Sequence, residues 1–124
     1  MRTIKFRGRD VFTDAWRYGD LVHNQKVTRT GLEPRVMVGG YEVDKYSVGQ
    51  FTGHNDIGGE EIYEGDTVIV SCGGGIIYGA VVVWNERTGA FLLDEGDCNL
   101  TPVPWGLVKR SGTIHEHRIA LSAL

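Results

Sequence analysis

Ile62-Tyr63-Glu64-Gly65-Asp66-Thr67-Val68-Ile69-Val70-Ser71-Cys72 holds a strand entry, a tight turn and a strand in one run. Ile62 and Tyr63 anchor the entry. Gly65-Asp66 sets the turn, because glycine takes positive φ without a Cβ clash and an aspartate carboxylate bonds nearby backbone N–H groups. From Thr67 onward the residues alternate, and Val68, Val70 and Cys72 share one face. Period-two alternation in a β-branched run predicts a half-buried strand.

The same grammar continues on the C-terminal side. Gly73-Gly74-Gly75 interrupts, and Ile76–Trp84 resumes as a strand apolar on both faces, with Gly79 inside it. Such a strand is covered on both sides, or bends at the glycine so that its halves meet different cores. Asn85–Gly89 reads as a hairpin turn, Ala90–Leu93 as a strand and Asp94–Thr101 as an acidic loop. Pro102–Val108 leads to a last strand near Val108–His115, broken by Gly112. The segment Arg118–Leu124 carries Ile119, Leu121 and Leu124, which suit one docked helical turn or an edge strand.

On the N-terminal side, Ile4–Arg9 alternates: Ile4 and Phe6 on one face, Lys5, Arg7 and Arg9 on the other. It predicts a half-buried strand with a basic outer stripe. The stripe is either a phosphate contact or a solvated face that discourages edge pairing. Ala15–His23 and Arg35–Val43 read as strands, the second around a Gly39-Gly40 turn or bulge. Between them Asn24–Pro34 is polar and reads as an exposed loop or hairpin tip. Asp44–Ser47 makes a turn or a single capped helical turn. Val48–Thr52 is extended again, and His54–Glu60 is a polar turn.

Eighteen glycines and three prolines in 124 residues fit many short strands joined by tight turns. At 41% hydrophobic and 23% charged residues, the chain is expected to be an ordinary folded protein. No apolar run has the length of a membrane span, and the basic start lacks the apolar stretch of a secretory signal. Cys72 and Cys98 lack C-x-x-C spacing; a disulfide between them is one reading, but two cysteines do not make a disulfide scaffold, and reduced thiols in the cytoplasm are the expectation. Residues 1–59 hold nine Lys/Arg and seven Asp/Glu, residues 60–124 four and nine, so the halves carry +2 and −5. This balance argues against a generally basic nucleic-acid binder and leaves a local basic face open.

Catalytic chemistry finds no constellation. Gly73-Gly74-Gly75 lacks the Lys-Ser/Thr of a phosphate loop and no helix follows it. Among Glu60, Glu61, Glu64, Asp66, Asp94, Glu95 and Asp97 nothing marks an acid/base pair. Cys72 is expected against a core, and Cys98 in an acidic loop would be a dull nucleophile. No Gly-x-Ser-x-Gly elbow exists. His115 and His117 would share a face in a strand and offer two metal ligands, but a third, from His54, Cys98 or His23, would have to come from elsewhere. No cofactor and no metal are expected. Trp16, Trp84 and Trp105 suit core, interface or base stacking. Trp105, in Pro102–Gly106, is the one expected to be an exposed contact.

Three stretches together resemble the YopX-like family of phage and prophage proteins, whose function is unknown. Ile4-Lys5-Phe6-Arg7 resembles its opening strand. Val48-Gly49-Gln50-Phe51-Thr52-Gly53, followed by Gly59 through Val68, resembles its central motif, and Gly112-Thr113-Ile114-His115-Glu116 its closing one. Trp16-Arg17-Tyr18-Gly19 also matches an aromatic strand of the family. His115 and Arg118 depart from the pattern, as does the Asp56-Ile57-Gly58 turn. The rhythm after Gly65-Asp66 is similar to an SH3-like barrel.

The expectation is a single mainly β domain over 1–124, built of short antiparallel strands. An N-terminal β module over 1–59 would lead into an SH3-like barrel over 60–124. Its role would be that of a cytoplasmic, non-catalytic module that binds a protein partner or self-associates. Nucleic-acid binding through Lys5, Arg7 and Arg9 is the alternative.

Overall fold

The computed structural model describes residues 3–96 and 99–115. The structure is mainly β, and its strand pairings are antiparallel. The chain divides into two compact units, Met1–Phe51 and Thr52–Leu124.

In unit 1, β1 (Phe6–Arg9) lies between β2 (Trp16–Gly19) and the start of β6 (Gly49–Asn55). A second sheet has the order β3 (Leu21–Thr28), β4 (Gly31–Val38), β5 (Tyr41–Val43). An isolated bridge, Asp10 to Val43, joins the end of β1 to β5. Gly39-Gly40 is the turn between β4 and β5, with φ of +60° and +88°, the signs a tight two-residue hairpin needs. A Cβ on Gly39 would collide with the Tyr18 carbonyl oxygen, so the close approach also requires glycine there. Asp44 caps the single 3-10 turn Lys45–Ser47, accepting from Tyr46 N–H at 3.0 Å. Val38, Val43 and Phe51 are the buried hydrophobic residues of this unit.

Of the two readings of Asn24–Pro34, the hairpin holds and the loop does not: β3 and β4 pair through Thr28↔Gly31, leaving Arg29-Thr30 as the turn. Polar residues hold this hairpin by pairing across it. Arg35 Nε donates to Asn24 Oδ1 at 2.6 Å, and Lys26 Nζ donates to Glu42 on β5 at 2.8 Å.

In unit 2, β7 (Glu61–Tyr63) follows the second half of β6. Then come β8 (Asp66–Cys72), β9 (Ile76–Asn85), β10 (Ala90–Asp94), β11 (Leu100–Pro102) and β12 (Val108–Thr113). The last five form one sheet of order β11-β10-β9-β8-β12. No pairing among the described residues closes it into a barrel. Ile62, Val68, Val70, Ala80, Val82, Leu93 and Val108 make its core, with Cys72, Tyr78, Phe91, Val103 and Trp105 packed against them. Each large aliphatic side chain buried there contributes roughly 1.5–3 kcal/mol. The shared face of Val68, Val70 and Cys72 is as read from their alternation. Strand β9 is not covered on both faces: Ala80 and Val82 are buried, whereas Ile77 is 66% exposed. Residues 52–59 pack with unit 2, so the division falls ahead of the 59/60 join read from the sequence.

Candidate functional site

The Lys5/Arg7/Arg9 stripe is not an outer face. Arg7 is 1% exposed and Ile4, expected inside, is 59% exposed. The reason is Trp16 on the neighbouring strand: the guanidinium carbons of Arg7 and Arg9 each lie 4.6 Å from its ring centroid. Lys5 lies over Phe51 at 5.2 Å, and Arg17 over Tyr41 at 3.9 Å. Cations held on aromatic faces stand beside the small hydrophobic core of Val38, Val43 and Phe51 here. Asp10, also buried, accepts from Phe12 N–H at 2.8 Å and from Arg17 Nε at 3.0 Å. The Phe12 bond does most to hold its carboxyl below the usual aspartate range; burial works the other way, and Arg17 adds to the lowering.

Unit 2 has its own buried carboxylates, and both serve structure. Asp66 accepts from Tyr63 N–H at 2.8 Å, the role expected of it in the turn. Its other oxygen lies 3.2 Å from Arg110 Nε. Asp56 bonds Gly58 and Glu60 N–H at 2.8 and 2.9 Å and Arg110 N–H at 2.9 Å, tying the 56–60 loop to β12. Burial raises its pKa, but these three N–H groups and Lys109 outweigh that and leave it lowered. The sequence places Asp56 in a polar turn, and the structure adds the bonding role of its carboxylate, as an Asp two residues before a Gly allows. Of the other acidic residues, Glu60 lies 3.9 Å from Arg110, and Glu95 accepts from Asn99 Nδ2 at 3.1 Å. Burial and a bond to Glu95 raise the Tyr78 phenol. Asp97 and Cys98 lie outside the described residues.

Trp105 is not a free contact. It sits in the 3-10 turn Trp105–Leu107, packs against the core and stacks on His54 at 4.0 Å between centroids. Strand β12 ends at Thr113, so His115 does not continue it, and His117 lies outside the described residues. The His115 ring lies over Gly65: a Cβ there would be 3.2 Å from Nε2. Ile114 N–H and the Thr113 hydroxyl both donate to the Gly65 carbonyl. Among the described residues no three His, Cys, Asp or Glu side chains group as metal ligands. Nor, among them, is any helix long and apolar enough to cross a membrane.

What unit 1 does offer is the β3–β4 hairpin. Val27 and Leu32 are directly opposed near its turn, at 83% and 64% exposure. On the same face lie Gln25/Pro34 and His23/Val36; Asn24/Arg35 and Lys26/Glu33 take the other. Where β5 ends, a cleft of about 380 Å³ opens beside β4. Pro34, Val36 and Val43 give it an apolar lining; His23, Asn24, Arg35, Glu42 and Lys45 give it a polar one.

The described chain is thus an antiparallel all-β protein whose buried charges serve its turns and aromatic stacks. It belongs to the YopX protein family, whose model matches residues 5–118. The crystal structure of protein EF1440 from Enterococcus faecalis is similar, with a TM-score of 0.55 and 19% identity over 98% of this chain and 99% of that one. At that identity the likeness is one of fold. No curated protein matches the chain.

Proposed function

We propose that the chain is a non-catalytic interaction module that meets a protein partner, or a second copy of itself, through the β3–β4 hairpin. The exposed Val27/Leu32 pair supports this reading most directly. Opposed apolar side chains on a strand pair form a patch that water covers poorly and another protein covers well. The cytoplasmic setting and the phage or prophage origin read from the sequence go with this proposal. So does an SH3-like character for unit 2, supported by the order β11-β10-β9-β8-β12 with a 3-10 turn before the last strand. The nucleic-acid alternative through Lys5, Arg7 and Arg9 has less support than this reading, because Arg7 is buried and Arg9 lies on Trp16.

Photo-crosslinkers placed at Val27 and, as a control, at exposed Ile77 test this in the host cell. Crosslinks to protein from position 27 and not from 77 are expected. Equal yields from both positions, or none from 27, would overturn it. Light scattering of the purified chain then separates self-association from a foreign partner.

A further inference from the structure

We infer that the cleft at the end of β5 receives a glutamate side chain from a short extended segment of the partner. This rests on the hairpin being the contact surface. Backbone parity sets which edge of β4 is open. A pair that closes a two-residue turn must be of the hydrogen-bonded kind, as Thr28↔Gly31 is. Alternation makes Lys26↔Glu33 and Asn24↔Arg35 the same kind. The main chain of Leu32, Pro34 and Val36 therefore faces the opposite edge of β4. Strand β5 covers that edge at Val36 and Val38 and goes no further. Leu32 N–H, Leu32 C=O and Pro34 C=O remain facing outward. Proline supplies no N–H, so a long strand cannot add along this edge, but a short one can.

Charge selects what that segment carries. Glu42 is neutralised by Lys26, whose Nζ lies 3.1 and 2.8 Å from its two oxygens. That leaves Arg35 and Lys45 as the net charge lining the cleft, both positive. Arg35 Nε is taken by Asn24 at 2.6 Å, which holds the guanidinium while its two terminal nitrogens stay available to a carboxylate. Pro34 and Val36 line the same cleft and offer apolar surface for the methylenes of a glutamate. An aspartate is one methylene shorter and reaches less of both.

A fluorescent pentapeptide, acetyl-Thr-Val-Glu-Val-Thr-amide, and its Gln counterpart provide the probe, titrated by anisotropy against the full chain. The Glu peptide should bind roughly tenfold more tightly than the Gln peptide, the size of one charge-assisted contact. Arg35→Gln and, separately, Lys45→Gln should each erase most of that difference. Amide shifts at Val36, Val43 and Lys45 should accompany binding. Equal affinity for the two peptides, no binding of either, or equal binding of free glutarate would overturn the inference. A Leu32→Asp variant carrying the crosslinker at position 27 separates the two readings. If it loses its crosslinked partner while neither variant nor wild type takes the Glu peptide, the cleft fails and the hairpin stands. If the peptide binds but position 27 crosslinks nothing, the hairpin reading fails.

Discussion

Unit 2 excludes water with aliphatic side chains: Ile62, Val68, Val70, Val82, Leu93 and Val108 meet in one cluster. In unit 1 the largest fully buried side chain is an arginine, Arg7, set against Trp16. The two units face the same need and meet it with different chemistry. An aliphatic core is non-directional and tolerates small shifts. A cation on a ring depends on the placement of two groups, and a stranded buried charge is costly. Unit 1 should therefore be the more sensitive to changes of charge, and unit 2 to changes of volume.

The largest effect should come from volume. Leu93→Ala in unit 2 should cost about 2–5 kcal/mol, because a fully buried leucine leaves a cavity; urea unfolding measures it. Arg7→Ala should follow, at roughly 2 kcal/mol or more for a desolvated cation–π contact. Hydrogen exchange should show faster opening of the β1–β2 amides than of the β8–β9 amides. Equal loss in both units would break the contrast.

Acid should touch both units, by the same route. Asp10 in unit 1 and Asp56 in unit 2 each have a folded pKa below the ordinary value of 3.8. Each thus adds stability that is fully present above the unfolded pKa and is lost as pH falls through the folded one. Urea midpoints should fall below about pH 4, and Asp56→Asn should flatten part of that fall. A midpoint that holds steady between pH 5 and pH 2 would contradict this. The smallest effect on folding should come from Val27→Asp/Leu32→Asp. Exposed substitutions of this kind stay within about 0.5 kcal/mol.

The same contrast explains what could be read in advance. Val68, Val70 and Cys72 alternate with polar or exposed neighbours, so a period of two revealed their strand and its inner face. The Gly65-Asp66 turn was equally plain, because positive φ and a carboxylate near N–H groups are local requirements. Unit 1 hid its logic because alternation assigns charge to the outside. Arg7 breaks that rule only once Trp16 is known to be its neighbour, and that neighbour is set by pairing across strands. Asn24–Pro34 read as either a loop or a hairpin tip because its residues are polar; Asn24–Arg35 and Lys26–Glu42, which no local signal announces, hold the strands there. The candidate cleft was missed for the same reason. It exists where β5 stops short of β4, a matter of register and not of motif.

The most direct test of the interaction reading is the crosslinking comparison, with the purified chain followed by light scattering at rising concentration. Protein crosslinks are expected from position 27, none from position 77, and the captured species should be lost in the Leu32→Asp variant. Crosslinks that survive Leu32→Asp unchanged, or that arise equally at position 77, would contradict it.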